Sequence, residues 1–245
     1  MREDRQNSEI RQIKMTPNFT PNADGSVLIE CGMTKVICTA TIEDKVPRFL
    51  KGKEMGWISA EYSMLPASTV IRKVRDISKG KIDGRNQEIQ RLIGRSLRTC
   101  IDLKILGEKT IWLDCDVINA DGGTRTTSIN GSFIALELAI KKALADGKLE
   151  NNPLISKVGA ISVGKVNGIR LCDLDYKEDS KADVDLNIVM NQKFEIVEIQ
   201  GTSERDTFTS EELFEFLDFA KIGIEDIFKY MEILEKYYEI NFING

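Results

Sequence analysis

The order of apolar and polar residues predicts strands in the first half of the chain. Residues 26–42, SVLIECGMTKVICTATI, place two β-branched runs around a Cys-Gly-Met-Thr turn, which is typical of a β-hairpin. Residues 57–65 predict another short extended piece. Residues 110–120 alternate: Ile111, Leu113, Cys115 and Val117 face one way. We expect this strand to end at a Gly-Gly turn.

Two long helices are predicted from apolar residues at helical spacing. The first starts near residue 87, and the apolar stripe that predicts it consists of Ile89, Leu92, Ile93, Leu97 and Ile101. Gly94 lies inside it and costs about 1 kcal/mol relative to alanine, which indicates close packing. The second helix runs from about Thr127 to Ala145.

The second half returns to strands. Residues 158–166 and 169–174 flank the hairpin signal Asn167-Gly168, and residues 184–190 and 194–200 predict a second hairpin. Residues 209–212, TSEE, form a capping-box start for a C-terminal helical region. We predict an α+β fold of two layered halves, residues 1–150 and 151–245, joined at Asn-Asn-Pro.

Composition narrows the function classes. The chain has 245 residues, a net charge of −5, five cysteines without a CxxC pair, and no histidine. The absence of histidine excludes Ser-His and Cys-His hydrolases and the usual zinc sites. No apolar run approaches the ~18 residues of a membrane span, and residues 1–14 are too polar for a secretory signal. We expect a cytoplasmic protein with no membrane association.

The densest chemical signal is acidic. Residues 173–187 read DLDYKEDSKADVDLN, and the acids are Asp173, Asp175, Glu178, Asp179, Asp183 and Asp185. Asp183 and Asp185 would share one face of a strand, and so would Asp173 and Asp175 on the preceding strand. Several of these carboxylates could converge on Mg²⁺ or Mn²⁺, and one could keep a proton as a general acid. The alternative is a solvated polar face.

A second signal lies about fifty residues upstream. Residues 122–127, GGTRTT, stand between the predicted strand and helix. Backbone N–H groups at a helix N-terminus, threonine hydroxyls and the fork of Arg125 are suited to a phosphate group. The alternative is a plain tight turn, because this motif is neither a Walker loop nor a dinucleotide fingerprint.

A third signal is basic. Residues 71–85 predict a mobile loop, and its cations are Arg72, Lys73, Arg75, Lys79, Lys81 and Arg85. Arg91, Arg95 and Arg98 follow on one face of the predicted helix. They could line an RNA groove or pair with acids of a neighbouring subunit, and the alternative for each is a solvated position. Aromatic residues for base stacking are sparse here, so contacts would be mainly to the RNA backbone.

Long motifs in a fixed order carry a family resemblance. They are GSVLIECGMTKVICTATIEDKVPRFLKG, GWISAEYSMLP, GRNQEIQRLIGRSLR, DCDVINADGGTRTTSI and DLDYKEDSKADVDLN. The chain resembles the ribonuclease PH family. The resemblance implies a fold like domain 2 of ribosomal protein S5, and a ring-forming chain that assembles as a homohexamer, a trimer of dimers. It also implies a phosphorolytic 3′-to-5′ exoribonuclease and nucleotidyltransferase that trims tRNA precursors and other RNA 3′ ends, with inorganic phosphate as co-substrate.

The resemblance also implies roles for particular residues. Arg85, Gly123, Thr124 and Arg125 would bind phosphate, and Asp179 and Asp185 would be catalytic and hold a divalent ion. Arg72 and Arg75 would contact tRNA. The chain departs from the family pattern at Ala67, which follows the MLP tripeptide, and at residues 2–5, Arg-Glu-Asp-Arg.

Two other functions fit the same residues less well. One is a non-catalytic RNA-binding ring subunit of an exosome-like assembly. The presence of both arginines and both aspartates favours an enzyme over that alternative. The other is a polynucleotide phosphorylase, for which the chain is too short.

Overall fold

The structure, a computed structural model, describes residue 2 and residues 5–243, without the side chains of residues 79 and 237–243. Glu3 and Asp4 of the altered N-terminal motif therefore lie outside the described residues. Two β-sheets and two long helices account for most of the described chain.

The first sheet has five strands. They are β1 (Ile13–Pro17), β2 (Gly25–Cys31), β3 (Thr34–Glu43), β4 (Trp57–Met64) and β5 (Thr110–Asn119). The spatial order is β1-β2-β3-β5-β4, and only the β4–β5 pairing is parallel. The predicted hairpin and the predicted alternating strand are confirmed as β2–β3 and β5.

Helices cover one face of this sheet. After a 3₁₀ turn at Arg48–Leu50 come α1 (Asp76–Lys79), α2 (Gly84–Arg98), α3 (Leu103–Leu106) and α4 (Thr124–Ala145). α2 begins three residues earlier than the periodicity predicts, because the Asp83 carboxylate accepts a bond from the Arg85 N–H and caps the helix. Close packing at Gly94 is confirmed, since a Cβ there would lie 2.9 Å from the Arg98 guanidinium.

The second sheet has four strands in the order β7-β6-β8-β9. They are β6 (Val158–Val166), β7 (Ile169–Cys172), β8 (Val184–Asn191) and β9 (Ile196–Ser203). A single turn, α5 (Tyr176–Asp179), lies between β7 and β8, and α6 (Ser210–Ile243) follows the sheet. The capping box is confirmed: Thr209 and Glu212 exchange side-chain and backbone bonds at the start of α6.

The 22-residue helix α4 joins the two sheets, because it packs against β2 and β3 on one side and β6 on the other. The Asn130 side chain bonds both the N–H and the carbonyl of Ala160 in β6. Gly131 lies where any Cβ would meet Cys38 and Ile29 of the first sheet. One continuous apolar core therefore runs through both halves.

The prediction that Asp173 and Asp175 share a strand face is wrong. β7 ends at Cys172, Asp173 has a left-handed backbone (φ 54°), and Asp175 is the N-cap of α5. Asp173 is 1% exposed and pairs with Arg11, a partner 162 residues away that local pattern cannot reveal. It is therefore a buried ion-pair residue rather than a candidate metal ligand. Asp183 lies just before β8.

Candidate active site

A cavity of about 950 Å³ opens between the two halves of the chain. Its lining includes all six residues predicted to bind phosphate or to be catalytic: Arg85, Gly123, Thr124, Arg125, Asp179 and Asp185. They come from the start of α2, the start of α4, the end of α5 and strand β8. Of these six residues, the charged ones from the first half are basic and those from the second half are acidic.

Hydrogen bonds with Thr34 fix the backbone at the start of the glycine turn, residues 122–125. Gly122 and Gly123 both have positive φ, 75° and 63°. Thr34 donates its hydroxyl to the Gly122 carbonyl at 2.7 Å and accepts the Asp121 N–H at 2.9 Å. In a trans peptide the carbonyl and the next N–H point in opposite directions, so this bond turns the Gly123 N–H away from Thr34.

The turn leads into an uncapped helix N-terminus. No side chain caps α4, and its first N–H groups have no intrahelical acceptor. The dipole of a long helix adds roughly half a positive charge at this end. The cavity lining includes Gly123, Thr124 and Arg125, so the arrangement suits an anion.

Tyr62 adds a polar partner that sequence reasoning missed. Its hydroxyl donates to the Thr124 hydroxyl at 2.9 Å, and its ring is fully buried. Because Thr124 accepts this bond, its own proton is free to be donated to a ligand. The sequence places Tyr62 in the motif GWISAEYSMLP, but this motif does not indicate that Thr124 is its hydrogen-bond partner.

Arg85 and Arg125 supply positive charge to the cavity. Arg85 is exposed at the start of α2 and faces the cavity. Arg125 is partly buried, 3.4 Å from the Gln200 amide oxygen and 3.9 Å from the Glu88 carboxylate. The charges of both arginines oppose the burial that raises the pKa values of Asp179 and Asp185, so the arginines share one electrostatic environment with the acids.

The two aspartates have raised pKa values for a common reason. Burial raises the pKa of Asp185 to about 6, and the charge of Asp179 adds to it, against the opposing effects of Arg125, Asn187 and Arg85. Burial also raises the pKa of Asp179, against Arg85 and Arg125. Burial therefore outweighs the opposing effect of the two arginines at both carboxyls.

These donors suit a hard divalent ion held loosely. The described residues contain no group of three or more acidic, cysteine or histidine side chains that could cage a metal. Two carboxylates beside a turn that suits an anion still match Mg²⁺ or Mn²⁺, which keep several waters and bind through one or two carboxylates and substrate oxygens. Asp179 and Asp185 would hold it, and it would stabilise negative charge on the leaving oxygen.

The four predicted RNA contacts lie outside this lining. Arg72, Arg75 and Arg91 are exposed, and the charge of Arg75 partly opposes the burial that raises the pKa of Asp116 on β5. Arg95 forms two bonds to the Glu198 carboxylate of β9. Arg98, on the same predicted face, instead stacks 4.0 Å from the Trp57 ring centre.

Family models match most of the chain. The model for domain 1 of the 3′ exoribonuclease family matches residues 9–141, and the model for domain 2 matches residues 157–223. The chain therefore belongs to this family, the ribonuclease PH family.

Individual relatives agree. Ribonuclease PH of Neisseria gonorrhoeae is 53% identical over 232 residues, 95% of this chain and 96% of that protein. Ribonuclease PH of Neisseria meningitidis serogroup B is 56% identical over 223 residues, 91% of this chain and 92% of that protein. The predicted family, and the predicted activity of a phosphorolytic tRNA 3′ exoribonuclease and nucleotidyltransferase with phosphate as co-substrate, are confirmed.

Solved structures share the fold. Rice (Oryza sativa) Rrp46 matches with a TM-score of 0.75 at 18% identity, covering 94% of this chain and 97% of that one. A chain of the Archaeoglobus fulgidus exosome with RNA bound to the active site matches with a TM-score of 0.73 at 19% identity, covering 95% and 91%. The predicted α+β fold is confirmed.

Proposed function

We propose that this cavity is where the chain carries out phosphorolysis, with inorganic phosphate on the α4 side and the RNA 3′ end on the β8 side. One observation carries the proposal: a single cavity joins an uncapped helix N-terminus and two arginines to a pair of aspartates with raised pKa values. The first set binds an anion, and the second set is placed to act on the bond that breaks.

Phosphate binds through four groups. The N–H groups of the glycine turn, the Thr124 hydroxyl, and the forks of Arg85 and Arg125 surround it. This neutralises part of its charge, so that it can approach the anionic RNA backbone. The nucleophile is already an anion, so no histidine base is required, in agreement with a chain that contains none.

In the reaction, a phosphate oxygen forms a bond to the phosphorus of the last phosphodiester. The bond from that phosphorus to the 3′ oxygen of the preceding nucleotide breaks. A nucleoside 5′-diphosphate leaves, and the shortened RNA takes up a proton on its 3′ oxygen. Asp185 and Asp179 lie on the side of this oxygen, where a carboxyl with a pKa of about 6 can hold or release a proton. The reverse direction adds a nucleotide.

RNA reaches the cavity past the basic segment, residues 70–82, some of which line its mouth. Arg72, Arg75 and Arg91 are exposed and free to meet phosphates of a tRNA precursor or another RNA. Arg95 contributes less, because it is engaged by Glu198. Contacts of this kind position RNA without reading its sequence.

The same segment supports assembly with further copies. Its exposed apolar side chains are Val70, Ile71, Val74, Ile77 and Ile82. A row of exposed apolar groups is costly in a monomer and is typical of a contact surface. We propose that it lies in a subunit contact of a ring, and that the ring is a homohexamer built as a trimer of dimers.

The cellular location of the chain was also predicted from its sequence. Within the described part of the chain, every helix is either too short or too polar to cross a membrane. We propose a cytoplasmic enzyme, where tRNA precursors are present.

Product identification tests the reaction. A tRNA with a 3′ extension is incubated with and without inorganic phosphate, each with and without Mg²⁺. Nucleoside diphosphates should form only when both are present, and labelled phosphate should appear in their β position. Nucleoside monophosphates formed without phosphate would reject phosphorolysis. Nucleoside diphosphates that form in the presence of a chelator would reject the requirement for a divalent ion.

A further inference from the structure

Three arginines of the N-terminal segment converge on the acidic segment of the other half. The side chains of Arg2, Arg5 and Arg11 are only 4%, 7% and 7% exposed, and they meet Asp173 and Glu178. Buried charges are costly unless paired and hydrogen-bonded. The bonded partners in this cluster are more than 160 residues apart in the sequence. The cost of burying them indicates that the cluster has a specific role.

Arg11 connects the glycine turn to the acidic segment. Its Nε and Nη2 bond the two carboxylate oxygens of Asp173 at 2.8 and 2.6 Å, and its backbone N–H bonds Asp173 again at 2.8 Å. Its Nη1 donates to the Asp121 carbonyl, and Nη2 lies 3.5 Å from the carbonyls of Gly122 and Leu174. The guanidinium of Arg11 therefore contacts backbone carbonyls both at the glycine turn and in the acidic segment.

Arg2 and Arg5 hold the turn that carries Asp179. Arg2 forms a two-bond fork to the Glu178 carboxylate at 2.6 and 2.8 Å and also bonds the Cys172 carbonyl. Arg5 bonds the Asp173 carbonyl at 2.8 Å. Glu178 is also the N3 residue of the capping box of α5, and the next residue is Asp179. The position of Asp179 therefore depends on this fork.

Two further observations indicate a close-fitting junction. Asp173 is a non-glycine residue in the left-handed region, which is uncommon although aspartate adopts it more readily than most residues. A Cβ on Gly122 would lie 2.4 Å from the Leu174 carbonyl oxygen, so the glycine turn touches the acidic segment directly. Burial opposes ionisation of Asp173, but the bonds and charge of Arg11 outweigh it and lower its pKa.

We propose that Arg2, Arg5 and Arg11, with Asp173 and Glu178, form a positioning clamp that sets the distance between the phosphate-binding turn and Asp179. The Arg11–Asp173 pair positions the phosphate side, and the Arg2–Glu178 pair positions the aspartate side. None of the five lines the cavity. The inference rests on the proposed roles of the turn and of Asp179.

Because the two pairs hold different sides, their variants should affect different kinetic constants. Arg11→Lys keeps the charge but loses the fork, so the carbonyls of Asp121 and Gly122 lose their bonds from Arg11, while the bond from Thr34 to Gly122 remains. A misplacement of about 1 Å can cost up to about a hundredfold, so we expect the KM for phosphate to rise roughly tenfold. Arg2→Lys should instead lower kcat severalfold with little change in that KM.

The experiment measures kcat and the KM for phosphate of both variants well below their melting temperatures. Arg170→Lys is the matched control: Arg170 pairs with Glu212 and Glu215 of α6 in the same half, away from the cavity. It should lower the Tm without moving the KM. At such temperatures a loss of stability alone leaves both kcat and the phosphate KM unchanged in all three variants. That pattern would overturn the proposal.

A second variant keeps the test decisive if Arg11→Lys does not fold. Asp173→Asn retains the shape and tolerates a positive φ, and it removes the charge that aligns the guanidinium. It too should raise the phosphate KM, and an unchanged KM would count against the clamp. Arg125→Ala distinguishes a failure of the proposed phosphate site from a failure of the clamp. If Arg125→Ala leaves the phosphate KM unchanged, the proposed phosphate site is wrong, regardless of the result for Arg11→Lys.

Discussion

The glycine turn and the basic segment both border the same cavity, yet they are built in opposite ways. Buried bonds from Thr34 and Arg11 hold the backbone of the turn, and Tyr62 orients Thr124. The basic segment instead leaves Val70, Ile71 and Ile77 more than 80% exposed and has one short helical turn, α1.

This difference matches the two kinds of substrate. Inorganic phosphate is small and always the same, so a preformed site for it lowers the barrier without reorganisation. RNA is large and varied near its 3′ end, so exposed cations on an open segment can meet many backbones. The comparison predicts large, localised losses from changes at the cavity and smaller, salt-dependent losses from changes in the segment.

The largest effect should come from Asp185→Asn. It removes the carboxylate from the reacting side of the cavity while keeping its shape, so we expect kcat to fall by about a thousandfold. Circular dichroism should show an unchanged fold. Asp183→Asn, two residues earlier and outside β8, is the control and should keep most of the activity. Equal losses in both variants would argue against a specific role for Asp185.

The proton affinity of Asp185 gives a second test of its role in the cavity. Its pKa of about 6, against an ordinary value of 3.8, corresponds to about a hundredfold higher proton affinity. Carbon-13 titration of aspartate carboxyls should show one resonance near pH 6 that is missing in Asp185→Asn. Added Mg²⁺ should move its midpoint down, because a nearby cation favours the ionised form. A midpoint below 5 without metal would contradict the burial argument.

Arg125→Ala tests the turn. Losing one charged fork from the phosphate site should raise the KM for phosphate by about ten- to fiftyfold, with a smaller change in the KM for RNA. Initial rates at varied phosphate and fixed tRNA give both values. Arg91→Ala, an exposed arginine outside the cavity lining, should leave the phosphate KM at its original value.

The double variant Arg72→Ala with Arg75→Ala tests the basic segment. Two lost backbone contacts should raise the KM for tRNA severalfold and reduce the slope of log affinity against log salt by about one to two. The phosphate KM should not move. A phosphate KM that rises in step with the RNA KM would mean that the segment and the turn act as one unit.

The smallest effect is on stability. A carboxyl with a raised folded-state pKa binds more protons in the folded state than in the unfolded one between pH 3.8 and about 6, so its ionisation costs stability as pH rises through that window. Asp185→Asn should therefore raise the Tm by a few degrees at pH 7 without metal. The gain should vanish near pH 3.5. A gain of equal size at both pH values would point to packing instead.

Local patterns were enough for most of the architecture. Alternation predicts β5, a hairpin signal predicts β6–β7, and Thr209 with Glu212 predicts the start of α6. These features depend on neighbours in sequence. The residues facing the cavity were predicted by motif resemblance, and their convergence was visible only once β8 and α4 packed together.

What sequence reasoning missed depends on distant partners. Asp173 looked like one more carboxylate of an acidic run, but Arg11 buries it. Arg95 and Arg98 share a predicted face, yet one meets Glu198 and the other Trp57. No periodicity encodes such pairings, because each joins elements whose relative placement the whole fold decides.

The burial of α4 on two sides has a consequence for synthesis on the ribosome. Residues up to Ala145 are made before β6 exists, so the side of α4 that will meet Val158–Val166 must wait uncovered. The nascent chain then exposes apolar surface together with Asn130, whose backbone partner has not yet emerged. Such an intermediate is a natural client for chaperones, and a pause in translation that leaves α4 outside the ribosome before β6 has emerged should favour its aggregation.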